Sequence, residues 1–588
     1  MPRSAKARTP ATFRRLVLAA ALLCASALHS QQAPANSAPP VLRASSKLVL
    51  VDVIVYDKHG NHATDLTAAD FTLHDHGKQQ NITVFSDEHA GESPAQKAAL
   101  PPPPPLPLQV FTNRPEYVRS NGPPTILLLD ALNTAAGDQA SARSFLLQYL
   151  RAQAKNSQGI AILELSESLG LLQDFTTDPA LLVAALEKYK PGISAELSGS
   201  ATITLTPIQA SVLPQLLRNL DRMNQSMAAE GIDHRVATTL AALRSIARAL
   251  DGIPGRKNLI WVSSVFPISL MPGPDYPDAQ RDYGDDLRRT AAMLGSARVA
   301  VYTVDARGIS IGDVPGPMRS SGPLADTVQD PSDTRSPDEK LANSQNATLD
   351  SHQTMGTLAE DTGGMAIYNS NDINKAVALS ANDGGQYYTL GYYPDPGNWD
   401  GKFHRIKLKL ERKGLTARYR SGYFAVDATQ PPPSESPQQR DRRAFEEVRA
   451  ALNDPLPATQ VTFRVHVPDP EAAVSAQVQI QFLVDVRTLS FDTAPNGERL
   501  CSLDFMAAAV TAEGKPAAAD GKSVDAHLKP DQFARYSQDG LPFAMQLTLV
   551  PGSYSLQIVV RDNRTGLLGT LNVPLIVPAA PTPSAKPQ

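Results

Sequence analysis

The sequence predicts a multidomain chain: a central α/β domain with a mostly parallel sheet, a small β-module before it and an all-β domain after it. Three observations carry this. Within residues 121–425, unbroken apolar runs such as ILLL, IAIL, NLIWV and VAVY alternate with amphipathic stretches. Runs without polar alternation are strands covered on both faces, as in a parallel sheet between helix layers. Residues 47–57 and much of 443–578 instead alternate apolar and polar residues, the pattern of half-buried strands. Finally, 588 residues are too many for one core, and the 49 prolines gather into runs that mark seams.

Residues 1–30 read as a signal peptide. Arg3, Lys6, Arg8, Arg14 and Arg15 make a basic start, and LVLAAALLCASAL follows. That apolar stretch suits a leader core and is too short to span a bilayer. Leu23 stands before Cys24 where a lipoprotein signal needs a small residue. The chain is therefore expected to be exported, to a periplasm, the cell surface or the medium, with no transmembrane segment after cleavage. Losing the leader's five basic residues takes the formal net charge from −4 to about −9. Mild acidity, without a basic run interleaved with aromatics, argues against nucleic acid as partner. Only Cys501 would remain, so no intrachain disulfide is expected; it reads as a small buried hydrophobe in a strand.

Residues 44–90 read as the small β-module. KLVLVDVIVYD is a strand, and KHGN and DHGK are turns. Asp57, Asp65, Asp70 and Asp75 recur there, but not at calcium-loop spacing, and are expected in turns and caps. Residues 91–120 hold PPPPPLPL and read as a proline-rich linker, as do residues 426–442.

In the central part, ILLLD is a strand and ASARSFLLQYLRAQAK an amphipathic helix. IAILELS is a strand, and DPALLVAALEKY a helix with Asp178 as its cap and Pro179 at its first position. Residues 208–227 and 235–250 read as two helices, NLIWVSS as a strand, 281–294 as a helix and VAVYTVDARG as a strand. Residues 312–349, rich in Pro, Ser and Asp, read as a flexible loop. A helix over 354–361 ends at the Gly363–Gly364 pair; MAIYN, NDINKAVALSA and YYTLGYYP follow as strand, helix and strand. By this reading Asp130, Ser263, Ser264 and Asp305 fall at carboxyl ends of strands, where such sheets bind ligands. Half of the cluster Tyr387, Tyr388, Tyr392 and Tyr393 is expected in the core, and His234 and His404 at the surface. Residues 443–578 give a short helix, then six or seven strands of an immunoglobulin-like β-sandwich without a disulfide. Residues 579–588 are expected to be a disordered tail.

Several segments together resemble the von Willebrand factor A-related exported proteins common in Acidobacteria. They are DKHGNHATDLTAADFTLHDHGKQQNITVF, LLLDALNT, GRKNLIWVSSVFP, VAVYTVDARG, LAEDTGGMAIYNSNDI, and YYTLGYYPDPGNWDGKFHRIKLKL with RYRSGYFA. They cover most of residues 47–425, in order. The resemblance implies a von Willebrand factor A domain, Rossmann-like, and an adhesion-type role for an unknown protein partner. It also implies a metal-ion-dependent adhesion site. There D-x-S-x-S supplies an Asp and two hydroxyls, a second loop a Thr, and the fourth strand an Asp. Such oxygen ligands suit Mg²⁺ or another divalent cation, completed by an acidic group of the partner.

This copy reads D-A-L-N-T. Asp130 matches the first ligand; Leu132 replaces the first Ser and cannot coordinate. Thr134 keeps the second hydroxyl, Thr176 or Thr177 in QDFTTD matches the Thr, and Ser264 stands at the fourth-strand Asp. Asn133 adds a side-chain carbonyl. The site is degenerate, since one carboxylate holds a divalent ion weakly. The same residues have a second reading, in which Asp130, Asn133 and Thr134 hydrogen-bond the loop and cap the next helix.

No H-E-x-x-H, C-x-x-C or P-loop occurs. The sequence is thus read as an exported, non-catalytic protein-binding chain. Its binding face is expected at Asp130, Asn133, Thr134, Thr176 and Ser264, with Asp130, Thr134 and Thr176 as the metal set. Two alternatives stand beside it: a metal-independent assembly scaffold of an envelope complex, and a serine hydrolase using Ser263 or Ser264.

Overall fold

The computed structural model describes residues 48–89, 105–117, 124–152, 159–192, 214–266, 283–307, 337–368, 373–395, 400–425 and 436–580. The expected signal peptide, the loop before residue 337 and the end of the tail lie outside the described residues. Among the described residues no helix is long and apolar enough to cross a membrane.

A mixed α/β core stands at the centre. Its strands are β1 (Thr125–Asp130), β2 (Ile160–Leu165), β3 (Leu169–Thr176), β4 (Lys257–Ser263), β5 (Val299–Asp305) and β6 (Met365–Ile367). They lie in the order β6-β5-β4-β1-β2-β3, parallel throughout except for β3, which runs antiparallel at the edge. Every residue of β1, β4 and β5 is buried, as unbroken apolar runs require.

Among the described residues six helices cover the two faces: α1 (Ala136–Ala152), α2 (Pro179–Lys188), α3 (Pro214–Asp251), α4 (Gly284–Ser296), α5 (Pro337–Thr362) and α6 (Ile373–Gly385). α3, α4 and α5 bury Leu243, Leu294 and Leu358 against Ile126, Trp261 and Val301. α1 and α2 bury Leu146 and Leu186 on the other face, against Leu127, Ile162 and Tyr302, with Ala378 of α6 beside them. Asp178 caps α2 by accepting from Ala180 N at 2.8 Å. α5 ends at Gly363, whose φ of 75° favours glycine. At Gly364 a Cβ would lie 1.9 Å from the Val301 carbonyl oxygen, so only glycine lets the chain turn this close to β5.

The two helices expected over 208–227 and 235–250 are one helix, α3. Nothing between them breaks the ladder: Gly231 is tolerated in a helix and no proline intervenes. The expected loop 312–349 gives way to α5 from Pro337. Ser336-Pro337-Asp338-Glu339 is a helix start signal that the surrounding composition hides.

The flanking β-sheets are built from pieces distant in sequence. Val49–Tyr56 pairs antiparallel with Gln386–Tyr392, Val51 opposite Leu390, and Phe71–Asp75 pairs with Phe403–Leu410. Their common core holds Val51, Val53, Leu73, Tyr388, Tyr392 and Ile406. Residues 44–90 therefore do not make a module alone: so few strands could not bury their apolar face without the second half. The strand Gln386–Tyr392 follows α6 with no linker. His404, expected at the surface, is 4% exposed. It sits with Nδ1 3.4 Å from Asp75 and Nε2 3.1 Å from Asp400, because the second half of this module closes over it.

The C-terminal part has two antiparallel sheets sharing one core, with Val478, Phe482, Phe505 and Ile558 inside. Cys501 is buried in it, and burial pushes its thiol up to about 12. Residues 91–120 were expected to be a linker only, yet Val110–Thr112 is an edge strand of one C-terminal sheet, Thr112 opposite Arg464. Three residues between prolines are too short to show a period. Asn113 fixes the piece by donating Nδ2 to the carbonyls of Ala458 and Val461 at 2.8 and 2.9 Å and accepting from Phe463 N at 2.9 Å. The helix expected to begin at about residue 443 starts at Pro437, where Ser436 and Gln439 form a capping box. The sequence reading also missed the strand Pro516–Leu528, which alternates too weakly to stand out.

Both sets of flanking sheets grip the amino-end rim of the central sheet. Arg298, just before β5, pairs with Asp52 and donates to Thr389 Oγ1 at 2.8 Å. Arg256, just before β4, donates its backbone N–H to Tyr387 OH at 3.1 Å. Arg248, near the end of α3, pairs with Asp454 at 2.7 Å, and Gly252 N donates to Thr459 Oγ1 at 2.9 Å.

Candidate functional site

The three central strands end level with one another. Leu129 of β1 lies opposite Val262 of β4, and Ser263 lies opposite Asp305 of β5. Asp130, Ser263 and Asp305 thus form one row at the carboxyl-end rim, on the face covered by α3, α4 and α5.

Asp130 is turned into the protein. It is 2% exposed, and Asn133 and Trp261 are fully buried beside it. Oδ1 accepts from Asn133 N at 2.9 Å and from Asn133 Nδ2 at 3.2 Å. Oδ2 accepts from Asn133 Nδ2 at 3.0 Å and from Trp261 Nε1 at 3.0 Å. Asn133 Nδ2 also reaches Thr239 Oγ1 of α3 at 3.0 Å. Burial pushes the Asp130 carboxyl above its ordinary range, and the bonds from Asn133 and Trp261 pull the other way. Leu132 sends its side chain into the apolar core and its N–H to the Leu165 carbonyl at 2.9 Å.

Thr134 and Ser264 do meet. Thr134 Oγ1 accepts from Ser264 N at 3.1 Å, and Ser264 Oγ donates to Asp138 Oδ2 at 2.7 Å. Burial raises the Asp138 carboxyl, partly offset by the Ser264 bond. Gln139 ties this loop down: Nε2 donates to Thr134 O at 2.7 Å and to Gly192 O at 2.9 Å, and Oε1 accepts from Tyr189 OH at 2.9 Å. Neither Asp138 nor Gln139 stood out in the sequence, because an acid and an amide in a helix's first turn are ordinary.

The next cluster along the rim was also missed. Arg307 wraps back on Asp305, with Nε to Oδ1 at 3.0 Å and Nη2 to Oδ2 at 2.7 Å. His352 Nε2 lies 3.0 Å from Asp305 Oδ2; an ionised carboxylate only accepts, so Nε2 carries the proton. Burial acts to raise the Asp305 carboxyl, but the bonds from His352 and Arg307 outweigh it and hold it below the ordinary range. The His352 ring stacks on Tyr368 at 4.4 Å, and Tyr368 is 46% exposed. His352 was legible only as a lone histidine just before the helix expected over 354–361; its partner lies 47 residues away.

Thr176 is not at this rim. β3 is antiparallel, and Thr176 pairs with Ile160, which pairs in turn with Thr125 at the start of β1. At about 3.3 Å per residue it lies roughly 16 Å from the Asp130 end. The segment QDFT, which the resemblance matches to a ligand loop, is strand, so the direction of one edge strand removes Thr176 from the set. Thr177 follows it at the same end. The other four expected site residues, Asp130, Asn133, Thr134 and Ser264, are buried at 2% exposure or less. They form the frame under the rim, and only opening of the loop would let a partner touch them.

The residues do not fit the metal that the family resemblance implies. A divalent cation needs converging lone pairs, and the groups around Asp130 are N–H donors. The Thr134 hydroxyl accepts from a backbone N–H, Leu132 offers nothing, and Thr176 is at the far rim. The one acceptor left without a donor is Asn133 Oδ1, a single neutral oxygen. Among the described residues no group of three or more His, Cys, Asp or Glu could hold a metal ion.

No family model matches the chain, and no curated protein does. Solved structures match distantly. An aerotolerance-related membrane protein from Bacteroides fragilis is 13% identical, over 44% of this chain and 99% of that one, with a TM-score of 0.22. Proximal thread matrix protein 1 from the mussel byssus is 10% identical, over 45% of this chain and 49% of that one, with a TM-score of 0.23. This chain thus spans about half of the mussel protein's length. A von Willebrand factor type A protein from Catenulispora acidiphila is 9% identical, over 56% of this chain and 73% of that one, with a TM-score of 0.21.

Proposed function

We propose that this chain is an exported, non-catalytic binding protein whose core is a von Willebrand factor A domain, presenting the carboxyl-end rim of its sheet to a protein partner. The observation that carries the reading is the division of the two rims. The flanking sheets hold the amino-end rim through Arg298–Asp52, Arg248–Asp454 and Gly252–Thr459. The carboxyl-end rim carries the polar row of Asp138, Ser264 and Asp305, with Arg307, His352 and the exposed Tyr368 above it. Strand order and the quoted sequence segments support the family. For the C-terminal sheets, the immunoglobulin-like reading rests on their alternation alone.

Catalysis is not part of the proposal. Ser264 Oγ donates to a carboxylate and Ser263 Oγ to the Val265 carbonyl at 2.9 Å, so neither hydroxyl is directed at an imidazole base. A reactive serine probe is expected to leave the protein unlabelled.

The test is a crosslinking pull-down from the native envelope with the wild type and Tyr368→Ala. Loss of the captured partner in the variant, at unchanged circular dichroism, is the expected result. Undiminished capture would move the binding surface elsewhere and favour the assembly scaffold.

A further inference from the structure

We infer that this chain replaces the cation of a von Willebrand factor A metal site with hydrogen-bond donors of its own. The Trp261 indole N–H and the Asn133 amide N–H groups occupy both oxygens of Asp130, which leaves a metal-independent rim. The inference rests on reading the core as such a domain, and concerns what fills its site rather than what binds above it.

Three N–H groups face the two Asp130 oxygens: Asn133 N at 2.9 Å, Asn133 Nδ2 at 3.2 and 3.0 Å, and Trp261 Nε1 at 3.0 Å. Each oxygen thus has an N–H donor within 3.0 Å, and a cation would have to approach against donors rather than into free lone pairs. The donors are fixed from behind. Trp261 comes from the adjoining strand β4 and packs edge-on against Phe266, ring centroids 4.4 Å apart. Phe266 is 3% exposed, and its backbone N–H is held by Ser351 Oγ at 3.1 Å. Asn133 is held by Thr239 and by the Val265 N–H, which donates to the Asn133 carbonyl at 3.2 Å. A divalent ion would have to displace an indole N–H that has no other acceptor among the described residues, leaving a buried donor unpaired. It would gain one carboxylate and the lone Asn133 Oδ1 in return, a ligand set poor in charge.

The chain has two tryptophans, Trp261 and Trp399, so Trp399→Phe makes Trp261 the sole reporter. The purified full chain in this background is titrated with Mn²⁺, Mg²⁺ and Ca²⁺ and with EDTA, reading emission and Tm. Both are expected to stay unchanged through millimolar metal. A saturable Mn²⁺ quench with a rise in Tm, abolished in Asp130→Asn, would overturn the inference. A double-mutant cycle of Trp261→Phe with Asp130→Asn gives a second reading. The double variant is expected to lose less Tm than the two single losses combined; simple additivity would mean that the indole N–H does not serve Asp130. No partner enters either measurement, so their outcome is separate from that of the pull-down.

Discussion

Trp261 Nε1 donates to Asp130 Oδ2 at 3.0 Å, a bond between neighbouring strands whose two residues are 131 positions apart. It joins the residue most like a metal ligand to an indole that the sequence marks only as part of an apolar run. With Asn133, it makes Asp130 the acceptor at the centre of a buried polar knot.

Asp130→Ala is expected to damage the fold rather than merely remove a contact residue. It leaves Asn133 N, Asn133 Nδ2 and Trp261 Nε1 short of their acceptor inside the protein. Unpaired buried donors cost about 1–3 kcal/mol each at most, and partial repair by Thr239 brings the expected loss to about 2–4 kcal/mol. Urea denaturation of the purified chain measures it. A loss below about 0.5 kcal/mol would mean that the knot contributes little.

Asn113→Ala is expected to free the segment 105–117 from the C-terminal sheets. Two carbonyls and one N–H lose their partner at once. The loss should be about 2–4 kcal/mol, with new protease cleavage between residues 105 and 117. An unchanged cleavage pattern would show that the strand Val110–Thr112 holds without it.

Gly252→Ala tests the seam between the α/β core and the C-terminal sheets. A Cβ there would lie 2.3 Å from the Thr459 carbonyl oxygen, a backbone atom that cannot swing away. The two parts should separate slightly, splitting a single calorimetric transition into two. One unshifted transition would place the coupling elsewhere.

His62 makes the other seam sensitive to acid. It faces Asp383, Arg418, the Tyr56 ring and the Gln386 carbonyl. Burial is the main cause holding its pKa below 6.5, and Arg418 adds to it. Asp383 Oδ1 lies 3.5 Å from Nε2 but already accepts from Tyr56, with Arg418 and Tyr302 on Oδ2, so its pull is largely offset. A depressed folded pKa contributes stability above the unfolded value of about 6.5, lost as pH falls through the folded value. The urea midpoint is therefore expected to drop below pH 6.5, and His62→Phe to flatten that drop. Asp305, also held low, acts in a separate window below pH 3.8. Parallel pH profiles for the two proteins would exclude His62 as the cause.

Local pattern was enough for much of this chain. The unbroken apolar runs ILLL, LIWV and VAVY marked β1, β4 and β5, because a strand buried on both faces leaves no room for polar alternation. Asp178-Pro179 and Gly363 marked helix ends, because capping and left-handed turns depend on the residue itself. Tyr388 and Tyr392 lie in the core as alternation implies; Tyr387, on the other side of the strand, is buried as well, because Arg256 and the central domain cover it.

The rest was decided in three dimensions. Whether β3 runs with or against β2 is a choice between strand partners, and it alone moved Thr176 to the far rim. Whether Asp130 meets a cation or an indole depends on a side chain from another strand. That Val49–Tyr56 pairs with Gln386–Tyr392, and Val110–Thr112 with residues 464–466, depends on which exposed edges meet as the core forms. A sequence window carries periodicity and end signals, which are local; pairing, direction and burial partners are contacts between distant segments, and only packing selects among them.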